Sequence, residues 1–244
     1  MRTMSAKFLE PYELSLAQRA FIVPYFGVKA VRDPTQATSV AGFNDAVNTS
    51  RFTKALLNRL RLTESGRQLL AVKPVLNTAT LDLSQLSAQP DNTLGYAYAN
   101  YMSHHSFSPD ERAVVRFTTD EDLGYVSARY RQVHDFWHVL TGLPPTVLGE
   151  VALKAFEAAH TKLPSAIVSA TVGVLTLSSQ ERALYVSHYV PWARRAGAEC
   201  EELLAFAYEN HLQADLDEVR KKLRVAVAPP QPRSAHEPPP SSTE

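Results

Sequence analysis

The stretch TTDEDLGYVSARYRQVHDFWHVLTGLPPTVLGE, residues 118–150, decides how the chain is read. A Thr followed three residues later by Glu121 is a capping-box pattern, and the acids that begin here suit the positive end of a helix dipole. Leu123, Val126, Tyr130, Val133, Trp137 and Leu140 then recur at steps of three and four, which predicts a helix over 120–140. On a wheel of about 100° per residue with His134 at zero, these six fill an arc from about −20° to −120°. His138 falls at about 40°, Arg131 at about 60° and Asp135 at about 100°. Two imidazoles and a carboxylate therefore flank the buried stripe. Gly142 stops the helix, Pro144-Pro145 forces a reversal, and a second helix over 146–163 carries Glu150. His138 and Glu150 are each about 6 Å from the hairpin tip, so the antiparallel hairpin brings Glu150 level with His138.

Four groups, His134, Asp135, His138 and Glu150, are thus expected to ligate one divalent ion. Two nitrogens and two carboxylates suit Zn²⁺, with Fe²⁺, Mn²⁺ and Co²⁺ as alternatives. Without a cation, so many polar groups at a core edge would be costly. The pattern is not H-E-x-x-H, because Asp follows the first His and no Glu lies between the pair. Arg131, one turn before the ligands, is a candidate catalytic residue that attracts an anionic substrate, and Lys154 is a second such cation. A competing enzyme reading is a His-Asp metal phosphohydrolase using His104 or His105, His134-Asp135, and a late acid, Asp215 or Asp217. It leaves His138 and Glu150 without a role.

Around this hairpin the 244 residues read as an all-α, mainly helical single domain, with the metal site on the helical hairpin. Further helices are expected over 14–31 (broken or kinked near Pro24), 42–62, 65–70, 95–103, 178–196 and 199–223. Residues 77–86 are Thr-rich and read as an extended link or short strand. The division is an N-terminal segment 1–13, a helical domain 14–225, and a disordered tail 226–244 crowded with proline. Lys and Arg number 25 against 25 Asp and Glu, which argues against a general nucleic-acid binder. The one cysteine, Cys200, forms no internal disulfide, and neither G-x-G-x-x-G nor G-x-x-x-x-G-K occurs. The uncharged run 163–180 contains Pro164 and Gly173 and polar groups throughout, so it reads as core rather than as a membrane span. The first residues combine Arg2 and Lys7 with Glu10 and Glu13 and lack an apolar signal core.

The run RYRQVHDFWHVLTGLPPTVLGEVALKAFE resembles the signature of the coenzyme Q (ubiquinone) biosynthesis protein 4 family, His-Asp-x-x-His followed after eleven residues by Glu. KPVLNTATLDLSQL, SFSPDERAVVRFTTDEDLGYV and ERALYVSHYVPWA resemble the family in order and spacing, so the likeness covers roughly 14–225. Gln132 departs from it, the family often having Glu there. The resemblance implies a mostly helical peripheral protein on the matrix side of the mitochondrial inner membrane, working with other enzymes of the ubiquinone-synthesis complex. Self-association is compatible with it. It further implies metal-dependent decarboxylation of 4-hydroxy-3-methoxy-5-polyprenylbenzoate to 2-methoxy-6-polyprenylphenol, with His134, Asp135, His138 and Glu150 as ligands. An oxidative version that hydroxylates the same carbon is an alternative. So is a non-catalytic scaffold that binds prenylated intermediates. An apolar trough for the prenyl tail is expected along 164–177, with 14–31 resting on lipid.

Overall fold

The structure is a computed structural model that describes residues 9–10, 12–32 and 37–230. Its helices are α1 (Leu16–Arg32), α2 (Ala37–Val47), α3 (Ser50–Leu62), α4 (Glu64–Val72), α5 (Leu83–Ser87), α6 (Leu94–His104), α7 (Glu121–Thr141), α8 (Val147–Thr161), α9 (Pro164–Val172), α10 (Ser179–Leu184), α11 (Val190–Glu199) and α12 (Leu216–Lys222). Two-residue strands β1 (Leu9–Glu10) and β2 (Val115–Arg116) pair in parallel. The fold is mainly helical, as expected.

Helix α7 is the axis of the molecule. It is buried on nearly every side, packed by α3, α6, α8, β2 and the turn Leu203–Ala205. Trp137 is fully buried and donates its indole N–H to the Tyr208 hydroxyl at 3.0 Å. Phe136 stacks on Tyr98 with ring centroids 3.9 Å apart. Each end of α7 is set locally. Asp120, rather than a Thr capping box, accepts from the Leu123 N–H at 3.0 Å, because its carboxylate both satisfies an orphan donor and meets the dipole. Gly142 closes the helix at φ 71°, a left-handed conformation that glycine adopts without strain. Thr146 caps α8 by accepting from the Gly149 N–H at 3.1 Å. A Cβ on Gly149 would lie 1.9 Å from the Pro144 carbonyl oxygen, so the tight hairpin requires glycine there.

Several expected elements are corrected. Pro24 sits inside an unbroken α1 at an exposed position, where water can hydrate the carbonyl that loses its partner. Residues 42–62 form two helices. Asn48 ends the α2 ladder, its N–H still donating to the Asn44 carbonyl at 2.8 Å, and its side chain donates to Ser165 Oγ at 2.8 Å and accepts from the Ser165 N–H at 3.0 Å. Within 77–86, Asp82 caps α5 by accepting from the Ser84 and Gln85 N–H groups, so no strand forms there. The run 199–223 makes two 3₁₀ turns before α12, with Leu203, Leu204, Ala205 and Phe206 all buried in the core. The chain from 226 to 228 docks on the body: Trp192 donates to the Ala226 carbonyl at 3.1 Å and the Ala228 N–H to Thr141 O at 2.8 Å. Residues 231–244, most of the expected tail, lie outside the described residues, as do 1–8 and 11 of the N-terminal segment.

Arg131 braces this arrangement. It donates to the carbonyl oxygens of Ala113 and Val114 at 2.7 and 2.9 Å and pairs with Asp45, which also accepts from the Arg116 N–H at 2.8 Å. The clamp joins α7, α2 and the β2 segment. Replacing Arg131 by Met leaves Asp45 buried without its guanidinium partner, and the expected cost is about 3–5 kcal/mol of unfolding free energy in urea denaturation. A loss below about 1 kcal/mol would show that the clamp is not structural.

Candidate metal centre

Because α7 is enclosed, polar side chains on it must find partners inside the protein. His138 is buried, and its Nδ1 lies 2.9 Å from the Leu143 carbonyl oxygen. A carbonyl only accepts, so Nδ1 carries the hydrogen and Nε2 is turned the other way. His134 is held in the same sense: its Nδ1 lies 2.7 Å from Glu157 Oε1. Both Nε2 atoms then face one carboxylate, His138 at 3.0 Å from Glu150 Oε1 and His134 at 3.5 Å from Oε2. In neutral imidazoles these are lone pairs directed at carboxylate oxygens. Such a meeting is repulsive unless protons or a cation lie between them.

The carboxylate that orients His134 is itself fixed. Glu157 is fully buried and accepts from Lys154 Nζ at 2.6 Å and from the Tyr130 hydroxyl. Burial would raise its pKa, but the charges of Lys154 and His134 outweigh burial and bring it down to about 2. Desolvation and Lys154 press the His134 pKa down, yet Glu157 and Glu150 prevail and raise it. Desolvation likewise opposes Glu150, while His138 and His134 hold it well below the usual carboxylate range. Burial, with Glu157 alongside, pushes the Tyr130 phenol far upward, so it stays a donor.

His134, His138 and Glu150 each offer a ligand atom within 4.8 Å of the others, and they form the metal-capable group among the described residues. The donor set fits a divalent ion such as zinc. Both imidazoles have their second nitrogens anchored, which is how metal-ligating histidines are held. Three of the four expected ligands are thus assembled. Asp135 is not in this group, because one residue on from His134 it projects about 100° around α7 and is ion-paired with Arg112. The phosphohydrolase set is not brought together either: His104, His105, Asp215 and Asp217 lie outside the group, Asp215 caps α12, and Asp217 pairs with Arg220 at 2.9 Å. Lys154 serves Glu157.

Sequence reading missed Glu157, Tyr130, Arg112 and Tyr101. Glu157 had a signal: it lies seven residues after Glu150, two turns along the same face. Tyr130 is four residues before His134. Arg112 and Tyr101 come from other segments, and no spacing links them to the motif. Tyr101 stacks on His138 with centroids 5.4 Å apart, and its buried hydroxyl has no hydrogen-bond partner among the described residues. Burial, and then the Glu150 charge, push its pKa upward, so it remains an O–H donor.

Glu157→Gln removes the anion that anchors His134 while keeping the shape. The expected result is a zinc affinity lowered about 10–100-fold in competition with a chelator, with the helical circular-dichroism spectrum retained. Unchanged affinity would mean that Glu157 has no orienting role.

The comparisons with known proteins agree with the motif. Residues 9–229 match the family model described as coenzyme Q (ubiquinone) biosynthesis protein Coq4. The ubiquinone biosynthesis protein COQ4 of Phaeosphaeria nodorum, named as mitochondrial, is 38% identical over 216 residues, 88% of this chain and 74% of that protein. The COQ4 homolog of Danio rerio, also named as mitochondrial, is 38% identical over 215 residues, 88% of this chain and 79% of that one. A crystallised protein of Nostoc punctiforme ascribed to ubiquinone biosynthesis shares the fold, with a TM-score of 0.67, 20% identity, and coverage of 85% of this chain and 96% of that chain. With the match running from β1 through the metal-capable hairpin to the docked 226–228 segment, the chain belongs to the coenzyme Q (ubiquinone) biosynthesis protein Coq4 family and its function is in ubiquinone biosynthesis.

Proposed function

We propose that the protein is a metal-dependent carboxy-lyase that removes the ring carboxylate of 4-hydroxy-3-methoxy-5-polyprenylbenzoate. The observation that carries this reading is the pair of imidazole Nε2 atoms fixed toward Glu150. His134, His138 and Glu150 hold the divalent ion, zinc first, with Fe²⁺, Mn²⁺ or Co²⁺ as substitutes, and Asp135 is the exchangeable fourth ligand. Three assembled ligands leave a position open, as a catalytic site needs. A divalent ion there supplies Lewis acidity toward a ring oxygen.

The chain's own residues supply the rest. The carbon that bears the carboxylate must become tetrahedral, by gaining a proton in simple decarboxylation or oxygen in the oxidative version. The para oxygen, starting as phenolate, gives electron density to that carbon and becomes a carbonyl, and it regains its negative charge as carbon dioxide leaves. The Tyr101 hydroxyl, a buried donor with Glu150 and Arg112 as its charged neighbours, is suited to steady an anionic oxygen. Lys154 and Tyr130 fix Glu157, which keeps the His134 ring in place. Exposed Ile167, Val168, Val172 and Leu175, together with Leu16, Phe21, Tyr25 and Val28 of α1, offer apolar surface for a prenyl tail and a lipid interface. Among the described residues no helix is long and apolar enough to cross a membrane. A peripheral place on the matrix side of the mitochondrial inner membrane, with other enzymes of the pathway as partners, accords with that and with relatives named mitochondrial.

Purified zinc-loaded protein given the prenylated 4-hydroxy-3-methoxybenzoate is expected to release carbon dioxide, with parallel reactions with and without oxygen separating the two chemistries. His138→Ala is expected to lose at least about 100-fold in rate. Release that persists undiminished after chelation, in folded protein, would remove the metal from the reaction; no release at all would favour the scaffold.

The titration has a definite sign. His134 has a raised pKa, so its charge stabilises the metal-free fold below about pH 6.5, and that contribution disappears as pH rises through the folded value. A bound cation reverses this, because it needs the neutral ring. Stabilisation by zinc, read as the difference in Tm between loaded and metal-free protein, should therefore grow from pH 6 to pH 8. A difference independent of pH would show that His134 is not a ligand.

A further inference from the structure

The charged groups beside the metal-capable triad leave one cation unexplained by the mechanism. Arg112 lies in the segment between α6 and β2, and its guanidinium reaches α7 to pair with buried Asp135. On its other side it lines a cavity of about 260 Å³, together with Val75, Leu76, Ala113, Val115 and Ala128. The cavity lies on the Asp135 side of α7: Arg131, Ala128 and Gln132, which also line it, stand at about 60°, 120° and 160° on the wheel, bracketing Asp135 at about 100°. A space of this size with apolar walls and few polar groups suits a single substituted aromatic ring.

Of the other polar side chains lining the cavity, Asn77 accepts from the Ala79 N–H at 3.0 Å, and Arg131, Asp110 and Gln132 are each held. Arg131 is held by Asp45 and two carbonyls. Asp110 accepts from the Thr78 N–H at 3.0 Å and from its hydroxyl at 2.5 Å. The Gln132 side-chain oxygen accepts from the Leu76 N–H at 3.3 Å. Arg112 differs because its partner is an acid adjacent to a metal ligand. Any cation that takes Asp135 leaves the guanidinium, which lines the cavity, without its ion-pair partner, with Glu111 and Glu150 as the acids still acting on it and with the Tyr101 hydroxyl, unpartnered among the described residues, in its neighbourhood. A planar fork of donors in that position fits a carboxylate.

We propose that Arg112 is a positioning residue with two alternative partners: Asp135 in the metal-free protein, and the carboxylate of an aromatic acid seated in the adjoining cavity once a divalent cation has drawn Asp135 away. Metal loading and acid binding are then coupled through one guanidinium. This rests on the proposed function for Asp135 as the exchangeable ligand and for the aromatic acid as substrate class. No bond is made or broken; only ion partners are exchanged.

Calorimetry with 4-hydroxy-3-methoxybenzoate and with zinc, on the full chain, tests it without any turnover. Wild type should bind the acid about 10-fold more tightly when zinc-loaded than when metal-free. In metal-free Asp135→Asn, Arg112 is already released, so the acid should bind about as tightly as to zinc-loaded wild type. If that variant, with its circular-dichroism spectrum intact, binds no better than metal-free wild type, Arg112 is not the acceptor and the proposal falls. The second arm stands if Asp135→Asn does not fold: Arg112→Gln should bind zinc about 10-fold more tightly, since Asp135 has lost its competing partner. Zinc affinity unchanged or weakened in Arg112→Gln overturns the exchange. A wild type that binds no zinc is a failure of the metal reading instead, and the metal-free Asp135→Asn arm still reports on Arg112 alone.

Discussion

Two imidazoles that cannot turn away from one carboxylate are the constraint on which the rest of this site depends. The Leu143 carbonyl holds Nδ1 of His138, and Glu157 holds Nδ1 of His134. Each anchor decides which nitrogen carries hydrogen and thereby presents the other to Glu150. The Leu143 carbonyl is available because the helix has just ended at Gly142, so the same turn that reverses the chain also fixes an imidazole of the metal-capable group. Hairpin and site are one construction.

The position of α7 at the centre of the core explains why most of its polar groups find partners inside the protein, with Nε and Nη1 of Arg129 left without one among the described residues. A charge on a surface helix can be left to water, whereas here Asp135, Glu157 and Arg131 are all enclosed. Two of these have an ion partner from a different part of the chain, Arg112 from the segment before β2 and Asp45 from α2, while Glu157, on α8, pairs with Lys154 of its own helix and holds α7 through Tyr130 and His134. These pairs tie α7 to its surroundings by contacts that are costly to break singly, although such pairs need not stabilise the fold relative to an apolar core. Their effect is to hold directions. A metal site needs ligands fixed in orientation more than it needs extra stability.

How far sequence alone reached differs by residue. The heptad-like stripe, the Gly and Pro-Pro stop, and the spacing from His138 to Glu150 are local, and they were sufficient to place His134, His138 and Glu150 together. Asp135 was grouped with them because ring positions on a wheel say nothing of what stands opposite. Arg112, 23 residues upstream, pairs with it, and that pairing exists only in the folded protein. From spacing alone Arg131 reads as a cation facing substrate, while the fold engages it with Asp45, 86 residues away.

Composition and periodicity by themselves determined that the chain is mainly helical, where most helices lie, and that one hairpin carries a metal-capable motif, since these follow from interactions within a few residues. The break between α2 and α3, the two 3₁₀ turns after α11 and the docking of 226–228 were decided by tertiary contacts that override local preference. So were the burial of Glu157 and the partner of Asp135. A side chain's tautomer, charge and counter-ion depend on groups that only packing brings near, and no spacing along the chain encodes them.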